Sequence, residues 1–84
     1  MTALELVTRL IGFDTTSRGS NLALIDFVQE LLEGAGARCR RSYDAGGAKA
    51  NLFATLGPEG PGGTVLSGHS DVVPVDGQNW SSDP

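Results

Sequence analysis

The apolar residues of this chain change their period at Gly34-Ala35-Gly36. Before that point they recur at helical spacing, and after it they alternate, so the first part of the chain should be helical and the next part extended. Thr2 and Glu5 form a Thr-x-x-Glu capping box, and Leu4, Val7 and Ile11 with Leu6 and Leu10 predict a helix from Ala3 to about Ile11, ended by Gly12. Ser20 or Asn21 should cap a second helix, in which Leu24, Ile25, Val28, Leu31 and Leu32 form the core-facing side. Gly34 should close it, and its acids Glu30 and Glu33 read as a solvated face. Between the helices, Asp14-Thr15-Thr16-Ser17 reads as a loop, since these side chains bond their own backbone more readily than they extend a helix. Such a hydroxyl-rich loop can contact a substrate, but simple turn chemistry accounts for it.

Beyond Gly36, Ala37, Cys39, Arg41 and Tyr43 alternate with Arg38, Arg40 and Ser42, the pattern of a half-buried or edge strand. Asp44-Ala45-Gly46-Gly47 is a turn, and Asn51 to Leu56 a second strand close enough to make an antiparallel hairpin. The glycine-rich loop Gly57 to Gly63 lacks the Lys-Ser/Thr end of a phosphate cradle and leads towards a strand rather than a helix. Thr64 to Leu66 then predicts a third, buried strand. The fold class expected is α/β, with two helices packed on a mixed sheet of about three strands.

With 84 residues the chain makes at most one small domain, able to bury about 60 to 65% of its unfolded surface. Ten acids against six bases give a net charge of −4, which argues against nucleic acid as a partner. The basic cluster Arg38, Arg40, Arg41 has no interleaved aromatic residues to stack on bases and reads as a solvated strand face. Cys39 is the single cysteine, so neither a disulfide framework nor a cysteine zinc site is expected. A lone thiol suits a reducing compartment, and the amino terminus carries no signal-peptide pattern, so a cytoplasmic location is expected. No apolar run approaches ~20 residues, and no membrane association is expected.

The one histidine, His69, follows Ser67-Gly68 where the third strand should give way to a loop. Open α/β sheets hold their ligands at such strand ends. In extended chain the side chains of His69 and Asp71 fall on one side, so imidazole and carboxylate can meet. A metal-bound histidine commonly gives its other ring N–H to a carboxylate. One reading therefore makes His69 a metal ligand and Asp71 the catalytic-site carboxylate that orients it; the other makes them an ordinary polar pair at a turn.

The stretch Ser67-Gly68-His69-Ser70-Asp71-Val72-Val73-Pro74, continued by Val75-Asp76-Gly77-Gln78, Trp80 and Asp83-Pro84, resembles the first active-site segment of a metallopeptidase family. That family includes acetylornithine deacetylase, succinyl-diaminopimelate desuccinylase, aminoacylase and the glutamate carboxypeptidases, and the Pro-Val-Asp-Gly-Gln continuation resembles its acetylornithine-deacetylating branch. The Asp14 to Ser17 loop, the Ser20-Asn21 helix start and Lys49-Ala50-Asn51-Leu52 are also similar, while Ser70 stands where relatives often carry a threonine or a larger residue. The resemblance implies that residues 1–84 are part of a zinc-peptidase catalytic domain. It also implies two zinc ions, with cobalt as a substitute, a water of lowered pKa between them, and a glutamate general base. Carried over by position, His69 ligates one metal and Asp71 orients it; the remaining ligands would lie past Pro84. The implied substrate is a small N-acylated amino acid, deacetylation of N-acetylornithine for arginine biosynthesis being the first reading. A related desuccinylase or peptide amide hydrolase, or a non-catalytic α/β module, are the alternatives, and a longer parent chain is expected to form a homodimer.

Overall fold

The computed structural model describes all residues from Met1 to Pro84. Its elements are α1 (Ala3–Ile11), α2 (Leu22–Gly34), β1 (Arg38–Tyr43) and β2 (Ala50–Thr55). At the start of α1 both arms of the capping box form: the Glu5 backbone N–H donates to Thr2 Oγ1 (3.1 Å) and the Thr2 N–H to Glu5 Oε2 (3.0 Å). The entry to α2 is shared differently. The Leu22 N–H donates to Ser20 Oγ at 3.1 Å, whereas the Asn21 side chain reaches across to the hairpin. Its Nδ2 donates to the Ala50 carbonyl (2.8 Å), and its Oδ1 accepts from the Ala50 N–H (2.9 Å). A side-chain amide thus pairs with the first residue of β2 as a neighbouring strand would.

The end of α2 explains the change of period seen in the sequence. Gly36 adopts φ 95°, its N–H donates to the Glu33 carbonyl (3.0 Å), and the Ala37 N–H donates to the Leu32 carbonyl (2.9 Å). This is a Schellman turn, in which a left-handed residue satisfies the last carbonyls and reverses the chain. Gly34 lies inside the last helical turn, and Gly36 is the residue that needs its freedom. The buried Ala37 then leads straight into β1.

β1 and β2 pair antiparallel, from Arg38 opposite Thr55 to Tyr43 opposite Ala50. Cys39, Arg41 and Leu52 share the half-buried face, which packs on α2. Arg41 does not merely face solvent: it donates to Gln29 Oε1 (2.5 Å) and to Asp26 Oδ1 (2.7 Å), tying the strand to the helix. Arg38 meets the Gly57 carbonyl at 3.1 Å and Glu59 at 3.7 Å. The cluster expected to be a solvated face therefore has one member fully engaged. Cys39 is half-buried and free.

Leu24, Ile25 and Ala50 form the core, with Leu10, Phe13, Leu22, Val28 and Leu52 against it. α1 contributes little to this core. None of its residues is buried, and it is held by Leu10 and by Arg9, whose guanidinium lies 4.7 Å from the centre of the Phe27 ring.

The mixed three-stranded sheet expected from the sequence is corrected to a two-stranded antiparallel one. Thr64 to Leu66 belongs to no strand, and Val65 and Leu66 are 75% and 93% exposed. The physical reason is the lack of a partner: an apolar run becomes a strand only when another strand satisfies its N–H and C=O groups, and nothing in this chain pairs with it. The α/β class stands, with α2 as the helix that covers the sheet.

Candidate functional site

Residues 64–84 carry His69 and contain no helix or strand, so tertiary contacts with the α1–α2 loop give the segment its shape. An isolated parallel bridge joins Thr16 and Val72. The Ser17 N–H donates to the Val72 carbonyl (2.9 Å), and the Val72 N–H donates to the Thr15 carbonyl (3.2 Å). The Thr15 hydroxyl donates to the Ser70 carbonyl at 2.5 Å. Further along, Arg18 makes a two-pronged pair with Asp76, Nη2 to Oδ1 at 2.8 Å and Nη1 to Oδ2 at 3.1 Å.

The loop is itself held in shape. Asp14 Oδ1 accepts from the Thr16 N–H (3.0 Å) and the Thr16 hydroxyl (2.7 Å), a local turn of the kind aspartate favours. These hydrogen bonds, the Thr16 hydroxyl first, hold the Asp14 carboxyl below its usual range. Lys49 donates to the Ser17 carbonyl and links the loop to the hairpin. The reading of Asp14 to Ser17 as turn chemistry is thus correct for Asp14 and Thr16 but incomplete for Thr15 and Ser17, which dock the histidine segment.

On this segment His69 Nδ1 lies 2.9 Å from Asp71 Oδ1. Both side chains are largely exposed, 83% for His69 and 67% for Asp71. An ionised carboxylate only accepts hydrogen bonds, so in the neutral ring the contact selects the Nδ1–H tautomer and leaves the Nε2 lone pair unengaged by Asp71. This is the donor arrangement of a metal-ligating histidine with its orienting carboxylate. Nowhere in the chain do three His, Cys, Asp or Glu side chains cluster to hold a metal. The chemistry of the pair fits zinc, but the chain offers one candidate ligand where a catalytic zinc takes about three from protein.

Other polar features of the segment are local. The Trp80 indole N–H donates to Gln78 Oε1 at 2.8 Å, with the ring half exposed. Glu30 and Glu33 stay on the exposed side of α2, away from any cluster. Two surface grooves run along α1, one lined by Met1, Leu4, Glu5, Thr8 and Arg9 and the other by Thr8, Arg9, Gly12 and Phe13; neither includes His69. No helix is long and apolar enough to cross a membrane.

Sequence reasoning missed Thr15, Arg18 and Asp76 as supports of the histidine segment. Their partners lie 55 and 58 residues away along the chain, and spacing carries no signal over such separations. The one available hint was the hydroxyl-rich loop followed by a lone arginine.

Over most of its length the chain is homologous to enzymes named for removing acyl groups from amino acids. These are acetylornithine deacetylases and succinyl-diaminopimelate desuccinylases. It is 45% identical over 75 residues to the acetylornithine deacetylase of Myxococcus xanthus, covering 83% of this chain and 20% of the relative. With the acetylornithine deacetylase of Proteus mirabilis it shares 38% identity over 90 residues, 99% of this chain and 23% of the relative. A succinyl-diaminopimelate desuccinylase of Cereibacter sphaeroides is 44% identical over 62 residues, 71% of this chain and 16% of the relative. The chain thus spans about a fifth of the length of the curated deacetylases it matches. No family model and no solved structure matches it.

Proposed function

We propose that this chain is part of the catalytic domain of a metal-dependent amide hydrolase that removes the acetyl group from N-acetylornithine, with His69 as a metal ligand and Asp71 as the carboxylate that orients it. The observation that carries this reading is the 2.9 Å contact between His69 Nδ1 and Asp71 Oδ1 in a chain homologous to the deacetylases. The reading takes zinc as the metal, two ions in the complete site, with cobalt as a substitute. When bound, such ions polarise the amide carbonyl and lower the pKa of water.

The part played by this chain's own residues follows from the pair. Asp71 accepts the Nδ1–H, which fixes the ring's tautomer and rotation. Nε2 would then be the ring nitrogen that holds the metal. The other ligands and the general base would come from chain beyond Pro84, since residues 1–84 gather no further candidates around His69. The substrate class is a small N-acylated amino acid, and the complete protein is read as a cytoplasmic homodimer acting in arginine biosynthesis. Neither a nucleic-acid nor a membrane partner enters the reading.

One observation favours a second substrate. The match to the desuccinylase of Cereibacter sphaeroides is within one percentage point in identity of that to the Myxococcus xanthus deacetylase, 44% against 45%, though over fewer residues. The test is therefore a paired assay of the complete gene product on N-acetylornithine and on N-succinyl-diaminopimelate. Higher kcat/KM on N-acetylornithine, abolished by chelation and restored by zinc, supports the proposal. Preference for the succinyl substrate moves the assignment to the desuccinylases, and inactivity on both in the zinc-loaded protein contradicts it.

A further inference from the structure

We propose that the Asp14 to Arg18 loop is a strap that sets the pose of the His69–Asp71 pair, and that Thr15 is its principal positioning residue. The proposal rests on reading His69 as a metal ligand. Three attachments hold the chain between the pair and just after it: the Thr15 hydroxyl on the Ser70 carbonyl, the backbone bridge on Val72, and Arg18 on Asp76. Ser70 is the residue between His69 and Asp71, so the hydrogen bond from Thr15 holds the backbone that sends both side chains to one side.

The balance of packing makes this attachment matter. His69 is 83% exposed, so packing does not set its ring orientation, which depends on its backbone and on Asp71. Thr15 is the opposite case, with only 7% of its surface exposed, the one buried polar residue of the chain. A buried hydroxyl bonded to a carbonyl has little freedom, and deleting it leaves both the carbonyl and the backbone direction unsupported. Asp14 adds to this by holding Thr16 in its turn, and Lys49 by anchoring Ser17 to the hairpin that the core fixes. A line of contacts therefore runs from the α2–hairpin core through the loop to the backbone of the metal-ligating segment.

A positioning role differs from a merely structural one in what it changes. Loss of orientation in a histidine's supporting contacts weakens metal binding about 10 to 100-fold. Because Thr15 acts through the backbone rather than on the ring, its effect should fall at the low end of that range. The experiment uses the complete gene product and zinc alone as the probe. Zinc affinity is read by chelator competition, and the absorption spectrum of the cobalt-substituted protein is recorded in parallel. Thr15→Val, which removes the hydroxyl at constant shape, should bind zinc about 10-fold more weakly and shift the cobalt spectrum, while Thr15→Ser restores both. Wild-type affinity and spectrum in folded Thr15→Val overturn the proposal. So does a Thr15→Ser protein as weak as Thr15→Val. Should Thr15→Val fail to fold, Arg18→Gln at the exposed end of the strap carries the same test, a several-fold loss supporting the proposal and no change overturning it. His69→Ala in the same assay separates the two readings. If it loses zinc while the Thr15 variants do not, the strap falls and the ligand assignment stands; if it keeps zinc, the ligand assignment falls.

Discussion

Among the residues of the site, His69 and Asp71 could be paired from the sequence because they lie two apart, and extended chain puts such neighbours on one side. Arg18 and Asp76 could not, because only folding brings them together. Their pair has a pH signature with a definite sign. The hydrogen bonds from Arg18 hold the Asp76 carboxyl below its ordinary value of 3.8. A carboxylate whose folded pKa is depressed contributes stability that is present above its unfolded pKa and is lost as pH falls through the folded value. The attachment should therefore be intact at neutral pH and release in acid, below about pH 3.8. Amide shifts of Val75, Asp76 and Gly77 followed by NMR should show an acid transition in the wild type, and Arg18→Gln should move its midpoint up towards the ordinary aspartate value. An unchanged midpoint would show that Arg18 does not hold Asp76 in solution. At the site itself, Asp71→Asn in the complete protein should cost about 10 to 100-fold in metal affinity, the range for a lost orienting partner, measured by chelator competition.

For the elements, local rules were enough wherever the determinants lie within a few residues. The α1 capping box and the hairpin follow from neighbouring residues, as Thr2 with Glu5 illustrates, and the α2 stop does so to within two residues, expected at Gly34 and made by the turn at Gly36. The third strand was not legible for the opposite reason, since Thr64 to Leu66 has the composition of a strand but finds no partner among these 84 residues. Asn21 is the instructive intermediate. It stands at a cap position, yet its side chain is spent on both backbone groups of Ala50, a use no local pattern signals. Asn21→Ala should leave that edge of β2 unpaired and destabilise the α2–hairpin core by roughly 1 to 3 kcal/mol, the range for unsatisfied buried polar groups, read as a lowered denaturation midpoint. Thr2→Ala should cost about 1 kcal/mol of local α1 stability. Since α1 has no buried residue, that loss should appear as faster amide exchange in α1, with the hairpin unaffected.

Across the whole molecule, the buried core is small for the apolar surface available. Five residues of 84 are buried, while Leu4, Ile11, Val65, Leu66 and Val73 are each more than two-thirds exposed. The radius of gyration is 15.1 Å, against about 12 Å for a compact chain of this length. Surface of this kind calls for a covering partner, which agrees with a chain that spans about a fifth of its relatives and with the reading of residues 1–84 as part of a larger catalytic domain. Expressed alone, the 84-residue chain should bind a hydrophobic dye and, having one histidine and no three-ligand cluster, should show no stoichiometric zinc site of about micromolar affinity or better by calorimetry at neutral pH. The most direct measurement of the central claim is the zinc content of the complete gene product, purified in parallel as wild type and as His69→Ala. The account predicts that the wild type retains zinc through dialysis and that His69→Ala, folded to the same extent by circular dichroism, retains less. Equal zinc in the two proteins would contradict it.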